Sequence, residues 1–145
     1  MALHDGVPYE YTSTAEGLVF AAGACPLDAD GRTVAPGDLE MQARQAVDNL
    51  LEALAEAGIG PHDLLKTTIY VVGEQRSDLV RVWEVVSERL GRTPSTLLGV
   101  SLLGYPDQLV EIEAIARAAT DRARGTAPER SGRGPARRRS RPAGT

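Results

Sequence analysis

The run Leu109-Val110-Glu111-Ile112-Glu113-Ala114-Ile115-Ala116 reads as an interior strand, yet it carries carboxylates at alternate positions. Strand periodicity sends Val110, Ile112, Ala114 and Ala116 to one face and Leu109, Glu111, Glu113 and Ile115 to the other. The first face can close a hydrophobic layer. The second has to meet water, a partner subunit or a ligand, because two ionised carboxylates do not sit unpaired in an apolar core.

The rest of the chain supplies elements to cover the first face. Val7–Thr12 and Leu18–Ala24 form a predicted hairpin around Ala15-Glu16-Gly17. Ala43, Ala46, Val47, Leu50, Leu54 and Ala57 recur at spacings of three and four, which predicts a helix from about Leu39 to Ala57. Asp38 is its expected N-cap and Gly58 its stop. Leu64–Val72, dense in β-branched residues, reads as a strand. Ser77–Leu90 reads as a second helix, with Ser77 or Asp78 serving its first amides, Leu79, Val82, Trp83, Val86 and Leu90 as its apolar stripe, and Gly91 as its end. Leu97–Leu103 and Leu109–Ala118 complete the set.

The order β-β-α-β-α-β-β predicts a two-layer α+β domain with two helices on one face of a mixed sheet. Ile69, Val71 and Leu109, or their neighbours, are expected on the far sheet face, where self-association would cover them.

Charge divides the chain in two. Residues 1–119 hold 8 basic and 18 acidic residues, formally −10, whereas residues 120–145 hold 8 arginines and 2 acids, formally +6. The first part has the size of one domain with a modest core. The second is rich in Arg, Gly, Pro and Ser without apolar periodicity, and is expected to be a disordered tail. The acidic body makes a nucleic-acid partner unlikely, and Arg137-Arg138-Arg139-Ser140-Arg141 is expected to be a solvated extension. A membrane span and a secretory signal are not expected. The lone Cys25 suits a reducing compartment, and the expected location is cytoplasmic. His4 and His62 are too isolated for a metal site, and Asp28 and Asp30 lack the later ligands of a calcium loop. No metal and no cofactor are expected.

Four segments carry a resemblance. Pro8-Tyr9 is followed by Ala22-Gly23-Ala24-Cys25-Pro26, then by Gln42-Ala43-Arg44-Gln45-Ala46-Val47-Asp48-Asn49-Leu50. Asp63-Leu64-Leu65-Lys66-Thr67-Thr68-Ile69-Tyr70-Val71 is the third, and Pro94-Ser95-Thr96 through Val110-Glu111-Ile112-Glu113-Ala114-Ile115-Ala116 the fourth. In order and spacing they resemble the Rid family, also called YjgF or L-PSP, across roughly residues 7–118. The resemblance implies a YjgF-like, chorismate-mutase-like fold and a homotrimer joined through the open sheet face. It also implies small-molecule clefts between subunits and hydrolysis of reactive imines and enamines.

It further implies roles for residues. Glu111 matches the family carboxylate that positions water, and Tyr9 the tyrosine that closes the pocket, so both are candidate catalytic residues. Gly23, Ala24 and Cys25 form the candidate ligand turn, with Thr96, Leu98, Val80 and Tyr105 as further lining.

Thr96 occupies the place of the family arginine, whose planar fork grips a substrate carboxylate. Ala22, Leu98 and Val80 replace the family's serine, cysteine and asparagine. Such a cleft is expected to favour neutral or cationic ligands, unless Arg92 reaches it from elsewhere. Cys25 is otherwise a buried small hydrophobe. Glu113 is expected to be structural, paired with Lys66 or Arg117, and Trp83 to pack in the core. Two functions stay open: hydrolysis or other transformation of an uncharged imine or enamine, and a non-catalytic trimer that binds a small molecule or protein. RNA cleavage ranks third, because the body is acidic and offers no histidine pair.

Overall fold

The computed structural model describes residues 2–118. The reading of residues 120–145 as a disordered tail lies outside the described residues.

The elements are β1 (Thr12–Ala15), β2 (Leu18–Ala24), α1 (Leu39–Glu56), β3 (Leu64–Val71), α2 (Arg76–Leu90), β4 (Ser95–Gly99) and β5 (Val110–Arg117). They form the two-layer α+β arrangement expected from the sequence. The sheet order is β1-β2-β5-β3-β4, with β3 and β4 parallel and the other pairs antiparallel. α1 lies over β2 and β5, α2 lies over β3 and β4, and the helices touch each other.

Local chemistry sets the helix ends. The Asp38 carboxylate accepts from the Met41 amide at 3.0 Å, which satisfies one of the first free donors of α1. Gly58, at φ 75°, reverses the chain after it. At α2 the Asp78 carboxylate reaches back to the amides of Glu74 and Gln75 at 3.0 and 3.1 Å, and Gly91 closes the helix at φ 70°.

The alternation in β5 has the expected consequence. Val110, Ile112, Ala114 and Ala116 are buried under the helices with Leu50, Leu54, Val82 and Val86, while Glu111, Glu113 and Ile115 face the other way. Ile69 and Val71, expected on the far face, instead join the core, because register pairs them with Ile112 and Val110, and Leu109 packs partly buried against the same core. Their neighbours Lys66, Thr68 and Tyr70 take the open face instead. That face also presents Phe20, Thr96 and Leu98, so it is amphipathic rather than broadly apolar.

Three further expectations are corrected. The first strand starts at Thr12 rather than Val7, because β2 bulges beyond Ala21 and Pro8 has no amide to donate to a ladder. β4 covers Ser95–Gly99, because β3 leaves it no partner after the bond from Val100 N to Val71 O. Trp83 is 36% exposed; Val82, Val85, Val86 and Leu90 take the core side of α2.

Candidate functional site

Where β2 bulges, the sheet opens. Ala21 pairs with Ala114 and Ala24 with Ile112, so β2 spends one more residue than β5 over the same span. Ala22 and Gly23 occupy that irregularity. They floor a cavity of about 280 Å³ whose other walls are Tyr9, Cys25, Gly104, Tyr105, Gln108 and Glu111.

Gly23 is required by close approach. A Cβ on it would lie 1.8 Å from Glu111 Oε1 and 2.7 Å from its carboxyl carbon. The carboxylate thus rests on bare backbone, which only glycine leaves accessible. On its other side Gln108, 4% exposed, donates through Nε2 to Glu111 Oε2 and to Val110 O, both at 3.2 Å. Gln108 Oε1 accepts from the Tyr105 amide at 3.0 Å. Above the cavity the hydroxyls of Tyr9 and Tyr105 meet at 3.2 Å, and Tyr11 sets the Tyr9 ring edge-on at 6.0 Å.

Buried polar groups of α1 hold both loops. Gln42 Nε2 donates to Asp107 O at 2.9 Å, and its Oε1 accepts from the Leu109 amide at 2.7 Å. Asn49 Nδ2 donates to Cys25 O and Leu27 O at 2.8 and 2.9 Å, while Gln45 Nε2 supports the Asn49 carbonyl at 3.0 Å. Gln42, Gln45 and Asn49 project from one side of the helix at spacings of three and four. They interrupt the apolar stripe so that the cleft can be built on a rigid element.

Burial pushes the Glu111 carboxyl above the ordinary carboxylate range and the Glu113 charge adds to this, against hydrogen bonds from Gln108 and Cys25. The Cys25 thiol is pushed up to about 12, by burial first and then by the Glu111 charge. Burial, followed by the bond to Tyr105, raises the Tyr9 phenol. The lining thus sets the Glu111 carboxyl beside the Cys25 thiol and the Tyr9 phenol, whose protonated forms burial favours. Among the described residues, no lysine or arginine lines the cavity.

Of the sequence candidates, Tyr9, Gly23, Cys25, Tyr105 and Glu111 come together in this cavity. Ala24 is buried in the core. Thr96, Leu98 and Val80 lie apart from the lining; Leu98 is 43% and Val80 52% exposed. The Thr96 hydroxyl accepts from Lys66 Nζ across the open sheet face. Arg92 borders grooves beside Trp83, Pro94 and Leu64, away from the cavity. Glu113 accepts from the Tyr70 hydroxyl at 2.7 Å, in place of the expected Lys66 or Arg117 pairing.

Gln108 was not legible as a site residue. Its place depends on the 104–108 loop folding back onto β5, for which one glutamine after a turn is no signal.

Asp28 accepts from the amides of Asp30 and Arg32, a turn-forming use of its side chain. No cluster of three or more metal-ligating side chains occurs among the described residues, and no described helix is long and apolar enough to cross a membrane.

The chain matches the endoribonuclease L-PSP family over residues 2–118. A RutC family protein of Pyrococcus horikoshii is 33% identical over 110 residues, covering 75% of this chain and 86% of that protein. The crystal structure of a Rid family protein of unknown function, YyfA from Yersinia pestis, is similar at a TM-score of 0.69 and 30% identity, covering 77% of this chain and 88% of that one. TdcF of Escherichia coli with bound serine gives a TM-score of 0.69 at 26% identity, over 81% of this chain and 94% of that one.

Proposed function

The chain belongs to the endoribonuclease L-PSP family, and from that premise we propose that it hydrolyses an uncharged imine or enamine with Glu111 as the base. One observation carries the proposal: the Glu111 carboxylate lies inside a cavity, against the Gly23 backbone, oriented by a buried glutamine. A carboxylate raised toward neutrality by burial is a better base than one in water.

In the proposed step, Glu111 takes a proton from water as the water oxygen bonds to the imine carbon. The π electrons of the C=N bond pass to nitrogen, which takes that proton from Glu111 to give the carbinolamine. Glu111 then moves the carbinolamine hydroxyl proton to nitrogen as the C=O bond forms and the C–N bond breaks, so ammonia leaves and Glu111 ends ionised as it began. Tyr9 and Tyr105 cover the reacting group.

The substrate preference follows from charge. Thr96 stands where the Rid deaminases carry arginine, and the cavity contributes a carboxylate with no cation among the described lining residues. A carboxylated imine is repelled there, whereas an uncharged one is not. Thr96 and Leu98, exposed on the edge strand β4, and Val80, exposed on the neighbouring α2, fit a cleft completed by a second copy in a homotrimer. Family membership supports that assembly.

RNA cleavage is poorly served, because a polyanion meets an acidic body and a cavity with no basic residue among its described lining. A second reading, a non-catalytic binding trimer, is favoured by the loss of the carboxylate-gripping arginine.

The deciding assay follows ammonia release from acetophenone imine and from 2-iminopropanoate, with parent protein and Glu111→Gln. Turnover of the neutral imine alone, abolished in the variant without change in assembly, is the expected outcome. Equal rates for parent and variant would sink the hydrolase. Efficient turnover of the carboxylate, lost in Lys66→Met, would sink the charge argument.

A further inference from the structure

Among the described residues, Gln108 is the buried polar side chain that touches both the candidate base and the loop above it. Asp107, at φ 59°, turns the chain so that the Gln108 side chain points back under the cavity. The backbone on either side of it is fixed, since Asp107 O and Leu109 N both bond to Gln42.

The amide has one workable orientation. As placed, Nε2 serves two acceptors, Glu111 Oε2 and Val110 O, and Oε1 serves the Tyr105 N–H. Flipping it would set oxygen against two acceptors and Nε2 against a donor, which is unfavourable at all three contacts.

Resting on the role given above to Glu111, we infer that Gln108 is a positioning residue. It fixes the Glu111 carboxylate in the cleft through one of its oxygens and links that carboxylate to the Tyr105 side of the cavity. A half-buried glutamate otherwise samples several rotamers, and only some of them present an oxygen to a bound water.

The choice of a neutral donor also matters. Glutamine stabilises the ionised base without bringing a positive charge into the cavity. A lysine in its place would pair with Glu111 and weaken it as a base; a glutamate would oppose ionisation.

The groups facing Glu111 are Glu113 on β5, Tyr70 on β3, Cys25 after β2, Tyr9 from the N-terminal segment and Tyr105 from the loop. Glu113 and Tyr70 are bonded to each other. Tyr9 and Cys25 remain protonated across the carboxylate range. Gln108 therefore accounts for a distinct part of the Glu111 midpoint.

The test is carboxyl-detected NMR titration of Glu111 in the parent, Gln108→Met and Gln108→Glu, together with the pH profile of imine turnover. Loss of the donor is expected to raise the Glu111 midpoint by about one pH unit in Gln108→Met, and further in Gln108→Glu, where a second carboxylate adjoins it. The acid limb of turnover should move with it. An unchanged midpoint in a variant that keeps the parent's amide spectrum overturns the inference.

Should both variants unfold, the parent alone decides. Its Gln108 side-chain NH₂ resonances must titrate with the Glu111 midpoint, and a flat profile refutes the contact. A midpoint that moves in protein showing no imine turnover upholds the positioning and removes the hydrolase.

Discussion

Gly23→Ala is the sharpest perturbation of this cleft. The three atoms nearest a Cβ at position 23 all belong to Glu111, at 1.8, 2.7 and 2.9 Å. Every one is too close for real atoms, so the two side chains cannot both stay. Gly23 is not among the glycines with positive φ, so alanine brings no backbone strain. Overpacking of this kind costs about 1–3 kcal/mol. If Glu111 instead swings out, it forfeits its bond to Gln108, about 1 kcal/mol or more for a charged acceptor.

A double-mutant cycle with Glu111→Ala isolates the clash. In that background the clash is gone, and alanine at 23 should be neutral or stabilise by roughly 0.4–1 kcal/mol through the unfolded chain. Urea denaturation of the four proteins, at one fixed concentration because assembly feeds into stability, gives the coupling directly. A coupling of about 1–3 kcal/mol is expected. Equal costs of Gly23→Ala in both backgrounds would show that the carboxylate does not rest on this glycine.

Other consequences can be checked alongside. Asn49→Ala removes the side-chain donor from the Leu27 carbonyl and leaves the Cys25 carbonyl with only the Leu27 amide, and should cost about 1–3 kcal/mol in denaturant unfolding; less than about 0.5 kcal/mol would contradict the anchoring role. Burial raises the folded-state carboxyl of Glu111 above its unfolded value, so the native state favours its protonated form. Stability from this group is full at pH below the unfolded carboxyl value and is lost as pH rises through the folded one. Glu111→Gln should therefore melt higher than the parent at neutral pH, with the advantage vanishing in acid; a constant difference across pH would rule this out. Cys25, pushed up to about 12, should alkylate with iodoacetamide far more slowly at pH 8 than free cysteine does, and faster as pH rises further. Rapid labelling at pH 7 would mean that the thiol is neither buried nor beside a carboxylate.

Much of the fold is written in short-range pattern. The Asp38 cap, the α1 stripe, the stops at Gly58 and Gly91 and the alternation of β5 all act within one turn or one pleat, where neighbours along the chain set the energy. The candidate base was legible for the same reason: Glu111 is a carboxylate where an interior strand should have none. β3 was harder, since Thr67, Ile69 and Val71 alternate with Thr68 and Tyr70, and both sets suit a strand. Pairing with β5, some forty residues later in the chain, decided which set was buried. Trp83 is a similar case: Val82, Val85 and Val86, at spacings of three and four, took the buried side of α2 and left the ring at its margin.

The cleft belongs wholly to tertiary structure. Tyr9, Gly23, Gln108 and Glu111 meet because a bulge opens β2 and because Gln42 and Asn49 pull two loops onto α1. Sequence supplied the residue types and the spacings that repeat locally. Only the folded chain could set a glycine under a carboxylate and a glutamine beside it, because hydrogen bonds and close contacts depend on distances in space that local periodicity does not encode.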